Sequence, residues 1–434
     1  MKLTFPALAH RNFRLYLAGQ GVSIVGFWMQ QVALAWLVFE LSGSAVWLGL
    51  VAFAGQIPAL ILAPLSGSLI DCSDRHRLVL LTQTLAMLMA FLLAVLTVTG
   101  TVAIWHILVL NLILGVVNAF DTPARQSLLS EMVSRREDLA NAIALNSTVW
   151  NGARLTGPML ASLLLLATNP GVCFLVNGLS YLAVLAALLA MRLPERRRSA
   201  VRGRLLGNMR EGLAYAWRSE PIRSLLLLIA LFQMAGLAQM TLLPIIASSV
   251  LQGNGSMLGL LTASTGLGAL AAAVFLASKR SIDGLGRWIV GATLVFSLGL
   301  LAFSFAGTVL MAVLLLSTTG FALLLLTAGA NTLMQTIVAE DKRGRVLSLY
   351  TMAVTGLAPM GGLAAGLLAD KVGAPLTLRL AGFACLAGSL FFALRTASVN
   401  SVNHAGPSPE SLPDQRETDL VYVTLASGSC RRAG

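Results

Sequence analysis

The sequence has 434 residues, of which 57% are hydrophobic and only 11% are charged, and its formal net charge is +12. Soluble globular proteins carry about 25% charged residues, so this composition excludes a soluble protein and predicts an integral membrane protein. The basic residues lie between hydrophobic stretches and not on one surface shared with aromatic residues. This arrangement disfavours nucleic-acid binding.

The four cysteines, Cys72, Cys173, Cys385 and Cys430, are scattered without CxxC spacing. They indicate neither a disulfide framework nor a zinc site, so no metal and no cofactor is expected. The first hydrophobic stretch is too long for a signal-peptide core and is interpreted as an uncleaved first span.

Charged residues are costly at the centre of a membrane, so uncharged stretches outline the spans. Single spans are predicted within 14–40, 40–71 and 345–370, and a last one ends near residue 395. Turn signals at 100–101, 169–171, 252–255 and 306–308 divide four longer stretches into two spans each. The sequence therefore predicts an all-α membrane protein with twelve transmembrane helices.

Lysine and arginine positions predict the orientation. With the N-terminus in the cytoplasm, only Lys371 and Arg379 fall outside, and Arg154 lies within a span. The most basic connection is 192–222, which we interpret as an anchor on anionic lipid and not as a ligand site; it contains Arg196, Arg197, Arg198, Arg202, Arg204, Arg210 and Arg218. A multi-pass protein of the inner membrane with both termini cytoplasmic is expected.

An internal repeat divides the chain. A shift of 210 residues aligns Gly49 with Gly259, and a shift of 201 aligns Pro158 with Pro359. We therefore expect two pseudo-symmetric six-helix halves, 1–191 and 223–396, joined by the basic loop 192–222. Residues 397–434 are polar and contain proline and serine, which predicts a disordered cytoplasmic tail.

Two motifs carry a family resemblance. The loop from Gly67 to Arg77 resembles the signature G-x-L-x-D-R-x-G-R-R of the major facilitator superfamily, with Cys72 and Asp74 as departures. The segment Asp121-Thr122-Pro123-Ala124-Arg125-Gln126, with its continuation to Pro158, resembles the branch that contains enterobactin exporters and macrolide efflux proteins.

The resemblance implies the major facilitator fold and a substrate site at the midplane between the halves. It also implies gating or coupling roles for residues of its motifs, which are Gly67, Asp71, Arg75, Arg77, Asp121, Arg125, Gly157 and Pro158. Glu40, at the outer end of span one, is a further coupling candidate because it is titratable.

Arg154 is the most informative single residue, because an arginine in mid-span must face a cavity or a partner. Asn146 and Trp150 share its helix face at i, i+4 and i+8. Together they suit an anionic or aromatic substrate. The alternative is an interhelical clamp in which Arg154 bonds backbone carbonyls or asparagines.

The resemblance places spans one, four, seven and ten around the central cavity. Polar or aromatic residues on those spans are therefore further candidates for substrate binding; each has helix–helix hydrogen bonding as its alternative. They are Trp28, Gln31, Asn118, Gln233, Gln239, Asn331 and Gln335.

Energy coupling is inferred from the resemblance. The sequence has no P-loop, which disfavours ATP hydrolysis. Titratable candidates for proton coupling are Glu40, Asp71, Asp121 and His106, and each has an alternative interpretation as a helix-end residue.

The predicted function is proton-coupled export of a siderophore-like or amphipathic organic small molecule by alternating access. The alternatives are a multidrug or macrolide efflux pump and, less favoured, a lipid transporter. A membrane enzyme is disfavoured because the four histidines are scattered, and kinked helices with a midplane arginine favour a carrier over a channel. The expected partners are the substrate, protons and membrane lipid, with no nucleic acid; we expect a monomer that works with outer-membrane export components.

Overall fold

The computed structural model describes residues 5–133, 135–192, 213–278, 285–338 and 340–404. In that part of the chain, twelve long helices follow a short 3-10 helix, Pro6–Ala9. The first six are α1 Arg11–Ser42, α2 Ala45–Cys72, α3 Arg75–Val98, α4 Ile104–Met132, α5 Leu139–Ala167 and α6 Pro170–Ala190.

The second six repeat this plan with two irregular helices. They are α7 Glu220–Ile245, which continues as a π-helical turn Ile246–Val250, α8 Gly255–Ser278, α9 Leu285–Phe303, α10 Val309–Ile337, α11, and α12 Ala374–His404. Helix α11 consists of Glu340–Thr351, a π-helical turn Met352–Gly356 and Ala358–Val372. Such π-turns bend a helix locally and are frequent at functional sites.

The predicted all-α fold with twelve spans is confirmed. Eleven helices of the described chain are long and apolar enough to cross a membrane. The twelfth, α5, has 29 residues but is more polar, because it carries Arg154 and several asparagines and threonines.

Short turns set the helix boundaries. Gly43 ends α1 with a φ of 59°, a left-handed conformation that glycine adopts without strain. Ser44 then caps α2 by accepting a hydrogen bond from the Val46 N–H. Asp74 caps α3 in the same way, with bonds from the N–H groups of His76 and Arg77.

Helix packing repeats with an offset of six. In the first half α1 packs on α5, α2 on α4, and α3 on α4; in the second, α7 packs on α11, α8 on α10, and α9 on α10. The halves meet through α2 against α11 and α5 against α8, two contacts related by the same offset. This is the pseudo-symmetric arrangement that the sequence repeat predicts.

Close backbone contacts between the halves lie toward the side of the bundle where α1 ends and α2 begins, which we call the closed side. A Cβ atom on Gly49 of α2 would lie 2.7 Å from the Gly362 carbonyl oxygen of α11. A Cβ on Gly259 of α8 would lie 2.6 Å from the Ser162 nitrogen of α5. Glycine therefore permits the backbones to meet here.

Two predicted segments fall largely outside the described residues. Of the basic connection, positions 193–212 with Arg196, Arg197, Arg198, Arg202, Arg204 and Arg210 are not described, and neither is the tail from 405 onward. Helix α12 continues to His404, into the segment assigned to the tail. Residues up to Leu390 form one compact unit, and those from Phe391 belong to a second.

Candidate substrate and coupling site

Arg154 lies near the middle of α5 and meets Trp28 of α1. The guanidinium carbon is 5.6 Å from the centroid of the indole ring, within the range of a cation–π contact. One turn further along α5, Gly157 lets the two helices approach, because a Cβ there would lie 2.5 Å from the Trp28 Cβ atom. The glycine of the predicted Gly157-Pro158 motif thus brings Arg154 to Trp28.

Arg154 also lies where the two halves meet. A Cβ atom on Gly266 of α8 would be 2.5 Å from the Arg154 carbonyl oxygen. Two of the predicted site residues, Arg154 and Trp28, are therefore brought together beside the contact between α5 and α8.

The Arg154 guanidinium has no carboxylate partner and no hydrogen bond among the residues that the structure describes. Two polar atoms nearby in sequence or space are also unsatisfied: Trp28 Nε1 and Asn146 Oδ1 are buried without a hydrogen-bond partner within the described chain. Buried polar atoms are normally bonded, so Arg154 and Trp28 mark an incomplete polar site, and Asn146 adds a further unsatisfied atom two turns away on α5.

A second polar cluster surrounds Asp121 on α4, whose side chain is almost completely buried. One carboxylate oxygen accepts hydrogen bonds from Thr82 Oγ1 at 2.7 Å and Gln83 Nε2 at 2.8 Å, both on α3. The other forms an ion pair with Arg125 Nε at 2.7 Å, one turn along α4. This carboxylate is hydrogen-bonded through one oxygen and ion-paired through the other, and it joins α3 to α4.

Arg125 connects this cluster to α5. Its guanidinium carbon lies 5.7 Å from the centroid of the Trp150 ring. Because Trp150 precedes Arg154 by one helical turn, α5 carries two arginine–tryptophan contacts in succession, one to α4 and one to α1. The predicted face of α5 is therefore divided: Trp150 belongs to the Asp121 cluster, and Arg154 contacts Trp28 of α1.

Thr82 and Gln83, the partners of Asp121 on α3, were not predicted from the sequence. Thr82 and Gln83 belong to a short polar run, Thr82-Gln83-Thr84, in a largely apolar span, and this run was the available signal. Arg125, which the family resemblance assigns a gating or coupling role, has a side chain that is only 12% exposed.

The remaining predicted binding residues have varied surroundings. Gln233 donates to the Val354 carbonyl oxygen of α11 at 3.1 Å, and buried Gln239 donates to Thr319 of α10 at 3.1 Å. Gln335 bonds Asn331 on its own helix, α10, at 3.1 Å. Gln31 and Asn118 are partly buried and form no hydrogen bond within the described residues.

The predicted gating residues lie at both ends of the bundle. Arg75 pairs with Glu131 at 2.7 Å, and Arg77 pairs with Asp74 at 3.2 Å on the surface. Gly67 and Asp71 belong to α2 by their backbone, but their side chains lie outside the described set.

At the closed side, Glu40 accepts a hydrogen bond from Trp36 Nε1 at 2.7 Å. The Trp36 ring in turn packs against Gly255, the first residue of α8. Glu40 thus supports a contact between the halves. His106 instead accepts from the Ala103 N–H at 3.0 Å and caps α4.

No group of three metal-ligating side chains occurs in the described ranges. Cys173 and Cys385 are buried free thiols.

Comparison of the sequence with known proteins assigns the chain to a family. Residues 3–421 match the family described as transmembrane secretion effectors. The staphyloferrin A transporter of Staphylococcus aureus is 24% identical over 87% of this chain and 95% of its own length. The multidrug efflux pump Tap of Mycolicibacterium fortuitum is 25% identical over 82% and 87%, and macrolide efflux protein A of Streptococcus pyogenes is 23% identical over 83% and 90%.

Solved structures share the fold at low sequence identity. A transporter of the POT family in complex with a thioalcohol-conjugated peptide has a TM-score of 0.71, at 10% identity over 90% of this chain and 96% of that one. A bacterial homolog of the human lysosomal transporter Spinster, inward-facing and unoccupied, has a TM-score of 0.60, at 16% identity over 90% and 96%.

The relatives are efflux transporters and siderophore transporters, not enzymes. The chain belongs to the transmembrane secretion effector family, a multi-pass branch of the major facilitator superfamily.

Proposed function

We propose that the protein exports a siderophore-like or amphipathic organic molecule across the cytoplasmic membrane by alternating access. The observation that carries this proposal is the incomplete polar site around Arg154, which lies mid-helix beside the contact between two pseudo-symmetric halves. Membrane carriers of this plan bind their cargo at the midplane between their halves. The similarity to the staphyloferrin A transporter supports a siderophore-like cargo.

The direction of opening follows from the orientation of the chain. With the N-terminus in the cytoplasm, as the distribution of lysine and arginine indicates, the closed side faces outward, and the cargo would enter from the opposite, cytoplasmic side. The halves 1–191 and 223–396 then rock about Arg154, and the basic connection 192–222 lies on anionic lipid of the inner leaflet. A monomer suffices for this cycle; outer-membrane export components would receive the cargo.

Cross-linking tests alternating access. Ser162 Oγ donates to the Ser256 carbonyl oxygen at 2.6 Å across the closed side. In a variant whose four native cysteines are serine, S162C/S256C treated with a short thiol-reactive cross-linker should lose export and regain it after reduction. Undiminished export by fully cross-linked protein would reject alternating access.

Proton coupling is assigned to Asp121. Protonation of this carboxylate would remove the charge that holds Arg125 and weaken the bonds to Thr82 and Gln83, so it would loosen the junction of α3 and α4. Transport into inverted vesicles should therefore require a pH gradient and stop with an uncoupler. Transport that ignores both would reject proton coupling and leave export standing.

The cargo is tested in a deletion strain. The strain should accumulate the exported compound or become sensitive to it. Expression of the full chain should restore export. Siderophores are compared with macrolides and other drugs, because Tap and macrolide efflux protein A are also similar. Restoration by macrolides alone would favour the drug-efflux alternative, and restoration for no compound would reject the proposed function.

A further inference from the structure

Arg154 carries a positive charge that nothing described in the protein compensates. An arginine within a membrane span is costly and is normally paired. Here its one described side-chain partner is the face of the Trp28 ring, 5.6 Å away. This contact uses the charge of the guanidinium and none of its N–H groups, which have no acceptor among the described residues.

The polar atoms left without partners define what that acceptor must offer. Trp28 Nε1 is a donor only, so it needs an oxygen, as the guanidinium does. Asn146, two turns earlier on the same face of α5, has an unsatisfied Oδ1 that would accept from a hydroxyl or N–H group. A ligand that satisfies these atoms must therefore carry several oxygens near Arg154 and a hydrogen-bond donor near Asn146.

The carboxylate of Asp121, in the second polar cluster, does not serve as this acceptor. Asp121 already accepts hydrogen bonds from Thr82 and Gln83 and forms an ion pair with Arg125. Its charge is balanced by Arg125, so the Asp121–Arg125 pair contributes little net repulsion toward an incoming anion. A cationic ligand would leave Arg154 unpaired beside a like charge, and this selects against it.

We propose that the cargo is an organic anion whose carboxylate pairs with Arg154 and whose oxygen accepts from Trp28 Nε1. This inference rests on the proposed export function and specifies the chemical class of its cargo. Bidentate pairing of a guanidinium with a carboxylate supplies both affinity and orientation. The bound anion would complete the polar site that the protein alone leaves open.

Two dyes with the same xanthene core test the charge preference. 5-Carboxyfluorescein is an anion and rhodamine 123 is a cation, and fluorescence anisotropy measures the binding of each to the purified full chain. Carboxyfluorescein should bind more tightly. R154Q should weaken it by about 10- to 100-fold, the factor expected for a lost hydrogen bond between charged groups, and R154K should weaken it less.

Two further variants separate binding from folding. Arg379 also stacks on an aromatic ring, with its guanidinium carbon 4.0 Å from the Phe305 centroid, so R379Q is a matched control that should bind carboxyfluorescein like the wild type. W28F keeps a ring but removes the Nε1 donor, and it should weaken binding severalfold in a protein with a normal size-exclusion profile.

Tighter binding of rhodamine 123, carboxyfluorescein affinity that R154Q leaves unchanged, or binding of neither dye would overturn the anion assignment. The deletion-strain comparison makes no assumption about charge. Export restricted to cationic or neutral compounds would reject the anion and preserve the export function, whereas export of no compound would reject the function itself.

Discussion

Two arginines on neighbouring helices have opposite surroundings. Arg125 of α4 and Arg154 of α5 both contact a tryptophan ring, at 5.7 and 5.6 Å. Arg125 also pairs with the buried carboxylate of Asp121 at 2.7 Å, whereas Arg154 has no carboxylate among the described residues. A paired buried charge contributes to the packing of its own half, and an unpaired charge between the halves is suited to a ligand.

The largest expected effect comes from breaking the buried ion pair of Asp121 and Arg125. D121N removes the charge that balances Arg125, and leaving a buried charge unpaired costs about 3–5 kcal/mol. Thermal unfolding followed by size-exclusion chromatography should show a strongly destabilised protein. The double variant D121N/R125Q removes both charges and should recover part of the lost stability; no recovery would mean that the pair is not the source of the effect.

The next largest effect is expected from a substitution beside Arg154 and Trp28 that leaves Asp121 unchanged. G157V places side-chain atoms against Trp28 and the α1 backbone, and overpacking of this kind costs about 1–3 kcal/mol. G152V is the matched control on the same helix, because a Cβ at Gly152 meets nothing within 4 Å. Export and unfolding temperature should fall for G157V only; equal losses for both valines would point to a general effect on α5.

A smaller stability effect is expected at Arg154 itself. Removal of an unpaired charge from a membrane span relieves a cost, so R154Q should match or slightly exceed the wild type in unfolding temperature. The same preparations should fail to export the cargo. A marked loss of stability would instead indicate the interhelical clamp.

The smallest effect is expected at a surface pair. Arg77 is 84% exposed in its contact with Asp74, and exposed ion pairs contribute about 0–1 kcal/mol. R77Q should leave the unfolding temperature unchanged within error. If export nevertheless falls, Arg77 acts in gating, as the loop resemblance implies, and not in stability.

The fold was predictable because the spacing of charged residues and the positions of turn residues indicate where each membrane span begins and ends. Charge gaps and breaks at positions such as Gly100 and Pro170 identified the helix boundaries. Arg154 was recognisable as the lone charge in mid-span. Its contact with Trp28 was not, because the two residues meet only when Gly157 allows α1 and α5 to approach.

The Asp121 cluster shows the limit of reasoning from one helix at a time. Asp121 and Arg125 are one turn apart, and their pairing is visible in the sequence. Their connections to Thr82, Gln83 and Trp150 cross between helices and depend on helix rotation. Polar residues such as Gln233 and Gln239 share the same ambiguity, since a helix–helix bond and a cavity position give the same sequence pattern.

The most direct test of this account compares R125Q with R154Q in matched preparations. The unfolding temperature is measured for each, together with export of the compound that the wild type transports. We predict that R125Q lowers the unfolding temperature, whereas R154Q leaves it unchanged or raised and abolishes export. A fall in unfolding temperature for R154Q equal to that for R125Q, or full export by R154Q, would contradict the assignment of Arg154 to the cargo.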